Sequence, residues 1–104
     1  MFARLGAWQG SADELERWIE RAREHVKPSI RQDAGLKAAY WLVDRERGKA
    51  LIVTLWESEE AMRASEEARR RRQAATSAAT GAQVTTERYE IVDALVMDSK
   101  GGAL

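Results

Sequence analysis

The chain of 104 residues has no cysteine, a single histidine and a single proline. Without cysteine there is no disulfide and no thiolate nucleophile. One histidine with no cysteine leaves too few soft ligands for an ordinary transition-metal site, and no cofactor is expected. Charge of one sign is also lacking, since Lys plus Arg equals Asp plus Glu at 17 each. Such a balance argues against nucleic acid or an anionic membrane as the main partner. No apolar run is long enough to span a bilayer. The opening MFARLGAWQG has neither the apolar core nor the cleavage site of a signal peptide. The expected location is therefore the cytoplasm.

What is present centres on Gly35 to Met62. Within Ala50 to Trp56, Thr54 is the only polar side chain, so both faces of this strand are apolar and it belongs in the middle of a sheet. Leu36 to Val43 is nearly as apolar. The connecting Asp44-Arg45-Glu46-Arg47-Gly48 puts a glycine late in the loop, where a hairpin needs a left-handed residue.

Phe2 to Gln9 alternates as a strand, with Ala3, Leu5 and Ala7 on one face and Phe2, Arg4, Gly6 and Trp8 on the other. Ser11 and Glu14 form a capping-box signature. The stripe Ala12, Leu15, Ile19, Ala22 and Val26 predicts a helix that Pro28 should stop. Ser58 can cap a second helix reaching about Thr80, with Gly81 at its C-terminal end and an inward face of small residues: Ala61, Ala64 or Ser65, Ala68, Ala75 and Ala79. Val84 to Val92 reads as a polar edge strand. Residues 1–94 are expected to form one domain and 95–104 a loose tail.

The order β-α-β-β-α-β is the split-βαβ, ferredoxin-like plan of the α+β class: a four-stranded antiparallel sheet with two helices on one face. Four strands at ~4.8 Å make a sheet ~19 Å wide, and two helices cover about one side of it. The other side still carries apolar side chains, which an identical chain packing sheet to sheet would cover. A homodimer is the expected assembly, with neither nucleic acid nor membrane as partner.

Thr54 to Met62, TLWESEEAM, preceded by the hairpin YWLVDRERGKAL, resembles the dimeric α+β barrel superfamily and, within it, the small antibiotic biosynthesis monooxygenase-like (ABM) proteins. The resemblance covers residues 1 to about 93. It implies a cleft between helices and sheet, and activities that include cofactor-free oxygenation of aromatic molecules and haem degradation. The haem-degrading pattern is not matched: the second helix has neither Trp nor His, and the chain has no Asn at all.

Set on that plan, the expected ligand is a small aromatic or amphipathic molecule, and the candidate lining is Trp18, Trp56, Met62, Ser65 and Arg69. His25, seven residues after Trp18, is the candidate base for a phenol or quinol. Each has a plainer reading. Tryptophans in so short a chain are more often core or interface residues. A histidine near a helix C-terminus suits the dipole there. Arg69 opens the run Arg69 to Arg72 on a helix of ion-paired surface positions, with Glu59–Arg63, Glu66–Arg70 and Glu67–Arg71 each four apart. Arg69 alone shares a face with Met62 and Ser65 and could hold a carboxylate or phenolate. Arg4 is expected in the sheet-to-sheet interface, paired with the last strand, and Tyr40 and Tyr89 are read as packing residues. A non-catalytic dimer that binds a metabolite or a partner protein is the other function this sequence allows.

Overall fold

The computed structural model describes residues 1–80 and 84–97. Its elements are β1 (Phe2–Gln9), α1 (Ala12–Arg21), a π-helical turn (Ala22–Val26), α2 (Lys27–Ile30), β2 (Leu36–Asp44), β3 (Lys49–Trp56), α3 (Glu59–Ala64), α4 (Glu66–Thr80) and β4 (Val84–Glu90). The strands form one antiparallel sheet in the order β2-β3-β1-β4, with the helices on one face. The central β3 and the edge β4 stand where the sequence pattern puts them. No helix among the described residues is long and apolar enough to cross a membrane.

Registration fixes which side chains share a face, because they alternate along each strand, broken only by a register shift between Leu36 and Ala38 in β2 among the described residues. The helix-covered face carries the rows Trp41–Ile52–Gly6–Thr86 and Ala39–Thr54–Arg4–Arg88. The opposite face carries Tyr40–Val53–Leu5–Glu87 and Leu42–Leu51–Ala7–Thr85. Tyr40, Leu42, Leu51 and Tyr89 are exposed there. The core is Trp8, Leu15, Trp18 and Ala50, flanked by Ile19 and Trp41, so α1 packs on the end of the sheet near Trp8.

The first helix starts as its sequence requires. Ser11 Oγ accepts from Glu14 N at 3.2 Å, and Glu14 Oε1 accepts from Ser11 N at 2.9 Å. It does not stop at Pro28. The turn widens at Ala22–Val26, Lys27 N donates to Ala22 O five residues back, and the chain re-enters α-geometry to Ile30 with Pro28 near the start of α2. A wider turn ahead of a proline relieves the clash its ring would make with the preceding turn. Ala12, in the first turn, is exposed rather than part of the buried stripe.

The second long helix is two helices. Ser58 Oγ caps α3 by accepting from Ala61 N at 3.1 Å, and the chain breaks at Ser65. Its inward face keeps part of the expected small stripe, with Ser65 buried and Ala61 and Ala68 half-buried, but Ala64 and Ala75 are exposed, and buried Met62 and half-buried Glu66, Arg69, Arg72 and Gln73 share that face. The reason lies beneath it, where a buried cation on β1 demands polar partners. The expected Gly81 cap, the side chain of Ala79 and the tail beyond Met97 lie outside the described residues.

Gly48 is left-handed at φ 65°, as the hairpin loop requires. Its carbonyl accepts from Gly10 N at 3.0 Å, and a Cβ at Gly48 would stand 2.3 Å from Gly10 O. Gly48→Ala therefore meets both an unfavourable φ and a backbone clash, and is expected to cost at least about 2 kcal/mol in urea unfolding.

Candidate functional site

Between the covered face of the sheet and the helices lies a cavity of about 90 Å³, several times what one water needs. Its floor is the row Trp41–Ile52–Gly6–Thr86 together with Thr54 and Trp56, and its walls come from Trp18, Ala22, Val26 and Ile30 on one side and Arg69, Arg72 and Gln73 on the other. Gly6 has no positive φ. A glycine inside a central strand commonly marks a close approach by something else, and here its missing side chain leaves room in the floor.

Trp56 is 1% exposed. Its indole N–H donates to Thr54 Oγ1 at 2.9 Å, which in turn donates to Arg4 O at 3.3 Å. Both polar groups are thereby satisfied inside an apolar wall. The Arg4 guanidinium carbon stands 5.1 Å from the Trp56 ring centroid, a cation–π contact.

Arg4, 5% exposed, is the electrostatic centre of this region. Arg4 Nη1 donates to Met62 O at 3.2 Å, Ser65 Oγ at 3.0 Å and Glu66 Oε1 at 3.3 Å. Glu66 also accepts from Arg69 Nε at 3.0 Å and from Arg88 Nε at 2.8 Å, so one carboxylate serves three guanidiniums. Burial lowers the Arg4 pKa to about 10, with Glu66 opposing the shift and Arg69 and Arg88 adding to it. Arg4 remains charged at neutral pH. The Arg88 hydrogen bond, with Arg69 and Arg4 behind it, holds Glu66 down at about 2 against its own desolvation. Further along the wall, Arg69 donates to Thr86 Oγ1 at 3.2 Å and to Gln73. Arg72 binds Asp33 at 3.0 Å and Ser29 Oγ at 3.3 Å, tying α4 to α2 and the segment after it.

Of the residues singled out from sequence, Trp18, Trp56 and Arg69 line the cavity. Met62 and Ser65 are buried beside it under the helix break, where they serve Arg4. His25 is exposed and outside the lining, because the π turn brings Ala22 and Val26 to the wall and leaves His25 facing solvent. Arg4 lies on the helix-covered face and not on the open face. The Glu59–Arg63 and Glu67–Arg71 pairs form, but Glu66 turns inward to Arg69 and away from Arg70. Trp41, Gly6, Arg72 and Thr86 were not among the residues expected to line a cavity. The alternation of β1 already put Gly6 beside Arg4 and Trp8, and a glycine at mid-strand was the available signal. Among the described residues no group of three or more His, Asp or Glu side chains is placed to hold a metal ion.

Residues 1–77 match the sequence pattern of the family described as antibiotic biosynthesis monooxygenase. No curated protein matches the chain. Among the solved structures that share its fold are three of different sources. A monooxygenase of Streptomyces coelicolor, crystallised with the ligand nanaomycin D, superposes with a TM-score of 0.75 at 18% identity, over 93% of this chain and 92% of its own. A cofactor-independent oxygenase of Streptomyces nogalater gives 0.66 at 13%, over 90% and 95%. A dimeric ferredoxin-like protein from an uncultured marine organism gives 0.67 at 17%, over 91% and 96%.

The depressed Glu66 pKa ties stability to pH. A carboxylate with a lower pKa in the folded state stabilises the fold above the unfolded value near 4.5, and that contribution is lost as pH falls toward about 2. Allowing for solvent screening, it is expected to amount to about 2 kcal/mol. Urea unfolding of Glu66→Gln should show lower stability at pH 7 and a shallower decline between pH 4.5 and 2 than the parent.

Proposed function

The chain belongs to the antibiotic biosynthesis monooxygenase (ABM) family, and on that premise we propose that it is a homodimer that binds a small planar aromatic molecule in the helix-covered cavity and oxygenates it without a cofactor. The observation that carries this reading is the enclosure of the cavity by three indoles, Trp18, Trp41 and Trp56, around a floor opened by Gly6. Flat aromatic walls with polar groups gathered along one side suit a planar ligand. The likeness to an oxygenase crystallised with nanaomycin D and to one described as cofactor-independent supports both the ligand class and the reaction.

In such a reaction an anthrone-type methylene loses a proton to give a resonance-stabilised carbanion, which reacts with oxygen. The methylene becomes a carbonyl holding one oxygen atom, and the other leaves as water, so the substrate supplies all the electrons. The chain's part is to bind and orient the ring, to exclude water, and to stabilise the anion with the guanidiniums of the wall. The proton passes to an ordered water, since His25 faces solvent and the Asp33 carboxylate is engaged by Arg72. That engagement also favours a second reading, in which the same cavity binds a metabolite without turning it over.

Assembly follows from the open face of the sheet, where Leu5, Val53 and Leu55 are only half-buried beside exposed Tyr40, Leu42 and Leu51. An apolar face of this extent is covered most directly by its own copy about a two-fold axis, and the dimeric ferredoxin-like relative supports that arrangement.

Two measurements test these statements. Oxygen uptake with dithranol, an anthrone, in metal-chelated and flavin-free buffer should exceed the protein-free rate and be lost in Gly6→Leu, which fills the floor. Saturable dithranol binding with no extra uptake would establish the binding-only reading. In sedimentation velocity at micromolar concentration the protein should run as a dimer, and Val53→Glu, at the middle of the open face, should convert it to a folded monomer.

A further inference from the structure

We propose that the ligand of this cavity is an aromatic acid, its ring against the tryptophans and its ionised carboxylate within reach of the guanidiniums of Arg4 and Arg69. The proposal rests on the reading of the cavity as an aromatic site and adds to it the charge that the site selects.

The charges on the wall do not balance. Arg4, Arg21, Arg69 and Arg72 line the cavity, and the one carboxylate in the lining, Asp33, is held by Arg72. Behind the wall, Arg4, Arg69 and Arg88 converge on Glu66 alone. Arg88 is 44% exposed and solvated, whereas Arg4 and Arg69, 5% and 18% exposed, share that one carboxylate and leave a formal excess of one buried positive charge. Positive charge withdrawn from water is costly unless it is neutralised, and the low local dielectric strengthens its attraction for an anion.

A guanidinium offers paired N–H donors in one plane, which fit the two oxygens of a carboxylate. The cation–π contact of Arg4 with Trp56 places the charged end of the wall directly beside an aromatic face. A bare inorganic anion could use the charges but would leave Trp18, Trp41 and Ile52 facing an empty space. A neutral aromatic would fill that space and leave the charges uncompensated. Only a molecule with both a ring and an anion answers the whole lining.

The test is calorimetric titration of the full chain at pH 7 with 2-naphthoate and with 2-naphthamide, which differ little in shape but by one unit of charge. The acid is expected to bind at least tenfold more tightly. Arg69→Gln should remove most of that advantage, read as the ratio of acid to amide affinity within the variant, and Arg69→Lys, which keeps the charge, should restore part of it. Gly6→Leu should abolish binding of both. Equal affinities, or a tighter amide, would overturn the charge selection and leave the aromatic site standing. If neither probe binds at millimolar concentration, or if both bind Gly6→Leu as well as the parent, the cavity reading falls and this proposal with it.

Discussion

A guanidinium buried in the middle of a sheet has to be given acceptors, and in this protein most of what surrounds the cavity follows from that demand at Arg4. The side chain rises from the central strand β1 on the helix-covered face, where an unbroken helix would present only side chains. The break at Ser65 changes what is on offer. It brings the Ser65 hydroxyl beside the Met62 carbonyl, which still accepts from Ser65 N at 3.3 Å, and both oxygens accept from Arg4 Nη1. Ser65 Oγ also donates to Met62 O at 2.7 Å. The first residue of α4, Glu66, then supplies the countercharge. The division of one long helix into α3 and α4 is thus the backbone's answer to a buried cation.

The same interaction keeps the cavity open. A helix lined with alanine could settle onto the sheet and close the space above Gly6. Arg69 and Arg72 stand in that position instead, one fixed by Glu66 and Thr86 and the other by Asp33 and Ser29. Long side chains anchored at both ends act as struts. On the opposite side the π turn brings Ala22 and Val26 to the space beside Trp18 and Arg21, so the two walls have different characters: mainly apolar from the first helix, charged and hydrogen-bonded from the last. Such a cleft, apolar on one side and polar on the other, is the ordinary shape of a small-molecule site, in a chain of the ABM family.

Arginine-rich stretches are easily read as surface. Four consecutive arginines from Arg69 to Arg72 alternate with glutamates at helical spacing, and two of the anticipated pairs, Glu59–Arg63 and Glu67–Arg71, form on the exposed side. The face of the helix occupied by Glu66, Arg69, Arg72 and Gln73 is half-buried nonetheless. Local spacing is satisfied by either arrangement, because Glu66 can reach Arg69 one turn away as readily as Arg70. What selects Arg69 is the presence of Arg4 and Arg88, which lie 62 and 22 residues from Glu66 in the chain.

The sequence by itself determined the strands, their alternation, the two helix N-caps and the left-handed Gly48, because each of these depends on neighbours within a few positions. It also determined that Trp18, Trp56 and Arg69 lie on faces able to meet. Tertiary structure alone decided that Pro28 would be absorbed by a π turn, that His25 would face water, that Arg4 would be buried beneath the helices, and that Gly6 would open a floor beside Trp41. Those outcomes turn on which face of a sheet the helices cover and on contacts between residues far apart in the chain. Periodicity gives two faces without saying which is which, and a buried charge chooses its partners only when the packed chain has brought them within reach.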